Sequence, residues 1–226
     1  CEQGFLEPID PAIVASINDS VPGTAHKCGV PLNVWGLVIA YNEGKIPAAW
    51  GDRRPRTLED FFDLARFPGS RGVRRNPGMT IEMALVADGV PVEKVYDVMS
   101  APAGIDRALR KLDTIRGSTV FWTTNAQPVQ LLADGEVAMS MIHNGRVYAA
   151  SKEGKKLVAI WDREIVGTET LVVVKNKNTK ESMAFIKFVL SPELMGEFTN
   201  YYPYGPSRTS GAKYVNKEMG EYLPTR

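Results

Sequence analysis

Short β-branched runs alternate with helix-patterned segments along most of this chain, and that order leaves few folds open. Parallel neighbouring strands need a crossover between them, and a helix is the usual one. Strands interleaved with helices therefore predict an α/β fold with mainly parallel sheets. The strongest strand signal is Gly29–Tyr41, GVPLNVWGLVIAY, apolar enough to be buried, as one strand or two short ones. Further strands are predicted at Val120–Trp122, Val137–Ile142, Leu157–Trp161 and Thr170–Val174, with a short one between turns in 67–79.

Helix signals fill the gaps. Thr57 and Asp60 have capping-box spacing, and Leu58, Phe61, Phe62 and Leu64 follow as an apolar side. Thr80–Ala87 reads as a helix ending at Gly89, and Gln127–Ala133 as one closing at Gly135. In Gly104–Ile115 the residues Ile105, Ala108, Leu109, Leu112 and Ile115 share one helical face. Thr179–Leu190 turns Met183, Ile186, Val189 and Leu190 inward, and Ser191 with Pro192 starts another helix. A short helical piece is expected near Pro11–Ile17 and a polar loop over Asn42–Arg56.

Composition narrows the function. Apolar residues make up 44% and charged residues 23%, which is globular rather than disordered or fibrous. The 27 basic residues face 26 acidic ones with no basic stripe, so no nucleic-acid partner is expected. No apolar run approaches the ~18 residues that span a bilayer. The opening CEQGFLEPID has neither the basic start nor the apolar core of a leader. His26 and His143 are the 2 histidines. No Gly-x-Ser-x-Gly elbow or Gly-rich phosphate loop is present, and the Cys and His spacings do not form a zinc set. No catalytic residue, metal or cofactor is expected. The acidic pair Glu59–Asp60 reads as a helix cap.

The 2 cysteines, Cys1 and Cys28, leave three readings open. Cys1 could carry a lipid, Cys1 and Cys28 could be bridged, or both could be free thiols. The first two point to an exported protein.

Three stretches in order resemble one family: Gly29–Asn42 (GVPLNVWGLVIAYN), Gly135–Gly154 (GEVAMSMIHNGRVYAASKEG) and Thr170–Pro206, which runs from TLVVVKNKNTKESMAFIKFVLSPE to YYPYGPS. They are similar to the spermidine/putrescine-type periplasmic solute-binding proteins of bacterial ABC importers. The resemblance implies a two-lobed periplasmic-binding-protein fold of type II, with a ligand between lobes that close over it. Residues 1–42 plus 166–226 would form lobe 1 and residues 43–165 lobe 2. It also implies that lobe 1 lacks an N-terminal part, which favours a Cys1–Cys28 disulfide over a lipidated Cys1. Export to the periplasm behind a signal peptide, a small-molecule solute and an ABC transporter permease as partner follow from the same resemblance. Contact with the membrane would then be only through that complex.

Carried onto this chain, the family's pattern offers a set of solute-binding residues. His143 stands at the aromatic position of a strand-end loop, and Arg146 where polyamine binders carry a small or acidic residue. Arg146 presents a planar fork suited to a carboxylate and would repel ammonium groups. Glu169 stands at the acidic position that pairs with a ligand ammonium. Gly167 stands where polyamine binders often carry a tryptophan, which thins one stacking wall. Arg74, Arg75 and Asn76 replace acids before the Glu82 helix. Trp35, Trp122 and Tyr204 are aromatic candidates for cation–π contact.

One guanidinium and one carboxylate suggest a zwitterion such as γ-aminobutyrate or a related ω-amino acid. Bland readings compete: Arg146 as a surface arginine, His143 as a structural histidine, Glu169 as a loop carboxylate, and the aromatics as core residues. Rival functions are a true polyamine carrier, an enzyme using His143 with Glu169, and the effector-sensing domain of a regulator.

Overall fold

The computed structural model describes residues 1–175 and 178–225. Asn176 and Lys177, inside the third family-like stretch, and Arg226 lie outside the described residues. The chain divides into two compact units, Cys1–Gly36 with Val166–Arg226, and Leu37–Ile165. The strands Val30–Asn42 and Leu157–Leu171 carry the chain from one unit to the other.

The Leu37–Ile165 unit is built on a sheet in the order Thr119–Trp122, Arg71–Arg74, Met139–His143, Val30–Asn42, Leu157–Leu171. Arg71–Arg74 runs parallel to both of its neighbours. Val30–Asn42 runs antiparallel to Met139–His143, with Leu37 opposite His143 and Ala40 opposite Ser140. The sheet is therefore mixed, not mainly parallel as the pattern suggested. Arg71–Arg74 is joined through helices to the neighbours it runs parallel to, whereas Val30–Asn42 meets Met139–His143 with no single crossover between them.

Alternation along the strands explains the apolar runs. Leu37, Ile39, Met139 and Met141 pack on one face with Phe61, Met83, Leu85 and Ala108. Val38, Ala40 and Ile142 pack on the other with Leu132, Val147 and Ala150. A strand buried on both faces has no polar side, which is why Gly29–Tyr41 reads as continuous apolar sequence.

Local signals act as expected at several helix ends. The Thr57 hydroxyl accepts from the Asp60 N–H at 3.3 Å, and the Asp60 carboxylate accepts from the Thr57 N–H at 3.0 Å. The helix Gln127–Asp134 closes on Gly135, whose φ of 77° is left-handed. Arg71 is fully buried and donates to the carbonyls of Phe61 at 2.6 Å, Gly69 at 2.8 Å and Phe67 at 2.5 Å. Burial pulls its pKa down to about 10.

The other unit has a smaller core: Ile9, Ile13 and Ile17 meet Val30, Val173, Ile186, Leu190 and Met195. Leu6–Glu7 pairs antiparallel with Val173–Val174, and Gly205–Pro206 pairs with Val30–Asn42 at Asn33 and Val34. Thr179–Val189 and Pro192–Thr199 are its main helices, and the Ser191 hydroxyl accepts from the Leu194 N–H. Cys1 and Cys28 form a disulfide with their Cα atoms 5.7 Å apart, which removes the lipidated and free-thiol alternatives from this structure.

Three expectations change. Leu157–Trp161 and Thr170–Val174 are not separate strands with a loop between, because Leu157–Leu171 is one continuous strand. Its middle is polar because it is only partly covered, and Glu169 lies inside it rather than before it. The helices Asn144–Lys152 and Val95–Met99 carry little sequence signal, because each turns only one or two apolar side chains fully inward, and Arg146 does stand at a helix start, as its surface reading has it. The Gln127 helix is preceded by the expected strand, but the next strand is Met139–His143, two residues later than its apolar pattern began.

Candidate functional site

In the Leu37–Ile165 unit the informative side chains stand at the C-terminal ends of strands. Arg74 ends Arg71–Arg74, and Trp122 opposite it ends Thr119–Trp122. His143 ends Met139–His143, the other neighbour of Arg71–Arg74. The outgoing helices diverge. Pro77–Ala87, regular from Thr80, packs into the core on one face, and Asn144–Lys152 packs into the core on the other. Where neighbouring strands send their helices to opposite faces, a crevice is left at the strand ends, the usual ligand position of an open α/β sheet. Both helices also bring an N-terminus there, and helix N-termini favour negative charge.

The side chains fit that polarity. His143 is only 8% exposed, and its pKa is pushed down to about 4, by burial first and then by the charges of Arg74 and Arg146. Its imidazole is therefore neutral at pH 7 and has both a donor and an acceptor nitrogen. Arg146 is exposed in the first turn of Asn144–Lys152, and Arg74 is half-buried. Among the described residues no carboxylate lies within ion-pair distance of Arg74, Arg75 or Arg146. Arg74 and Arg146 beside a neutral histidine, with two helix N-termini, make this edge electrostatically positive.

The structure brings His143 and Arg146 together and adds Arg74, which in the sequence stands out only as a replacement for an acid. Its signal was the Arg-Arg-Asn-Pro-Gly run directly after a strand. Asn76 is exposed, and its side-chain oxygen accepts from the Gly78 N–H at 2.9 Å, so it shapes the turn that follows Arg74. Trp122 is 1% exposed in the core and offers no ring face to a solute in this structure.

The other candidates belong to the second unit. Glu169 is exposed on its strand and Trp35 is half-buried on Val30–Asn42. The ring of Tyr204, also half-buried, meets Tyr202 edge-on at 5.2 Å, and Tyr202 stacks on Phe198 at 5.8 Å. Among the described residues no cluster of three or more His, Cys, Asp or Glu side chains could hold a metal ion. Among them, too, no helix is long and apolar enough to cross a membrane.

A doubly covered sheet with cationic strand ends, continued by two strands into a second unit, is the frame of a periplasmic-type binding protein. The chain belongs to the bacterial extracellular solute-binding protein family, whose model matches residues 1–222. It is 39% identical over 226 residues to the gamma-aminobutyric acid-binding protein of Pseudomonas aeruginosa, covering 100% of this chain and 63% of that protein. It is 21% identical over 223 residues to the spermidine/putrescine-binding periplasmic protein of Salmonella typhimurium, covering 96% of this chain and 62% of that one. Among solved structures it is similar to one described as the Atu4243–GABA receptor, with a TM-score of 0.84 and 31% identity over 99% of this chain and 67% of that one. The family and the fold class expected from the sequence both hold.

Proposed function

We propose that this chain is part of the solute-capturing component of an ABC importer, and that its solute is a compact zwitterion, an ω-amino acid such as γ-aminobutyrate. Arg146 takes the carboxylate with its planar fork, Arg74 adds a second positive charge, and the neutral His143 supplies a hydrogen bond. Glu169 is the acid offered to the ammonium, with Trp35 and Tyr204 as aromatic neighbours. The work is binding, with no bond made or broken in the solute. The partner is a membrane permease and the compartment the periplasm, as the names of the polyamine-binding relatives suggest.

The observation that carries this reading is His143, buried and neutral beside two guanidiniums that no carboxylate among the described residues compensates. A polyamine brings like charges to that edge, and like charges a few ångströms apart in a partly dry site repel strongly. The relative named for gamma-aminobutyric acid, at 39% identity against 21% for the polyamine binder, points the same way.

Calorimetric titration with γ-aminobutyrate, putrescine and spermidine tests the proposal, on the unaltered chain and on Arg146→Ala. γ-Aminobutyrate should bind more tightly than either polyamine and lose most of its affinity in the variant. Tight putrescine binding that Arg146→Ala leaves unchanged would establish a polyamine carrier instead.

A further inference from the structure

Gly167 is a glycine whose backbone does not require one. It lies inside Leu157–Leu171 and is absent from the glycines with left-handed φ, so any residue could adopt its conformation. Space is what it supplies. A Cβ at this position would fall 2.2 Å from Cζ2, 2.5 Å from Cη2 and 2.7 Å from Cε2 of Trp35. The six-membered ring of the indole occupies the volume that a side chain at 167 would need. Contacts that short cannot be met by a small adjustment, so even an alanine must displace the ring.

The same strand face carries Glu169. Residues two apart in a strand project to one side, with origins about 7 Å apart. The indole of Trp35 therefore lies over the strand one step from the point where the Glu169 carboxylate departs. A ring and a carboxylate at that separation can share one primary ammonium, the ring through its π-face and the acid through a charge-assisted hydrogen bond.

We infer that Gly167 is a specificity-determining residue: by staying bare it seats Trp35 beside Glu169 and builds a holder for a single, terminal primary ammonium. The inference rests on the functional reading above and narrows it. Solutes whose amine end is a small unsubstituted –NH3+ are accepted, and N-alkylated amines are not. Gly167 acts through Trp35, as a positioning residue.

The experiment uses the chain labelled with 5-fluorotryptophan. Its 4 tryptophans give separate 19F resonances, and Trp35→Phe assigns one of them. Gly167→Ala should shift the Trp35 resonance and leave the other three in place, and γ-aminobutyrate should shift the same resonance in the unaltered chain. Affinity for γ-aminobutyrate should fall about tenfold in Gly167→Ala. N-methylated γ-aminobutyrate should bind the unaltered chain at least as poorly.

If Gly167→Ala does not fold, the pair Trp35→Leu and Trp35→Leu/Gly167→Ala carries the test. Equal binding by the two supports the inference, because the alanine then has no ring to displace, and a further loss in the double variant overturns it. Unchanged affinity with an unmoved Trp35 resonance in Gly167→Ala also overturns it while leaving the functional reading intact. If the unaltered chain binds no ω-amino acid at all, the functional reading falls and this inference with it.

Discussion

The two units use charge in opposite ways. In Leu37–Ile165 the candidate charged groups stand at strand ends, where helices begin, and they are cationic: Arg74 and Arg146 around a neutral His143. In the other unit the candidate groups stand along a strand face: Glu169 and the indole of Trp35 seated on Gly167. Strand ends collect helix N-termini and so suit an anion. A strand face offers alternate side chains and no dipole, so a ring and an acid must do the work there, and they suit a cation. On the functional reading proposed above, the first set serves a carboxylate and the second an ammonium.

The scaffolds differ too. The edge of Leu37–Ile165 is stiffened from beneath by Arg71, whose strand leads directly to Arg74. Arg71→Met should be the most damaging change, because it strands the buried carbonyls of Phe61 and Phe67 and the partly buried one of Gly69. Urea unfolding should show a loss of about 3 kcal/mol. A loss under ~1 kcal/mol would mean that the carbonyls find other partners and that this unit is no stiffer than its neighbour.

Arg146→Ala should come next, with γ-aminobutyrate affinity falling about a hundredfold while the melting temperature stays put. Glu169→Gln should cost less, about tenfold, since the exposed strand face leaves water to replace the lost partner. If the two losses were reversed in size, the assignment of the stronger pole to the strand ends would be wrong.

His143 supplies a pH test. Its folded pKa, about 4, lies below the ordinary histidine value of 6.5. Above pH 6.5 the imidazole is neutral folded or unfolded, and its contribution is constant. As pH falls from 6.5 toward 4 the unfolded chain takes the proton first, so stability is lost across that window. Urea midpoints between pH 7 and pH 4 should therefore drop, and His143→Gln should flatten the part of the drop due to this residue.

The smallest effects compare the caps. Thr57 has a reciprocal capping box, whereas Ser191 accepts one N–H at 3.4 Å. Thr57→Ala should cost about 1 kcal/mol and Ser191→Ala less, by thermal unfolding.

How far the sequence was legible follows from the same physics. Caps, closing glycines and strands buried on both faces are local signals, and Thr57, Ser191, Gly135 and Gly29–Tyr41 were all readable. The half-covered middle of Leu157–Leu171 has no apolar pattern, so it passed for a loop. Asn144–Lys152 shows only as a helix start at Arg146, because Val147 and Ala150 are its buried apolar residues. Strand direction depends on which strands pair, which is why a mixed sheet passed for a mainly parallel one. At the candidate site the residue types His143, Arg146 and Glu169 were legible as chemistry. Arg74 needed the strand register, and the seat of Trp35 on Gly167 needed coordinates, since neither leaves a spacing in one dimension.

The central claim is that a carboxylate is recognised at the strand ends of Leu37–Ile165. The most direct measurement titrates the unaltered chain with γ-aminobutyrate and with its uncharged amide, molecules alike in length and amine. The acid should bind about a hundredfold more tightly than the amide. Equal affinity for the two would mean that no guanidinium meets the solute, and the cationic edge would have to be given another purpose.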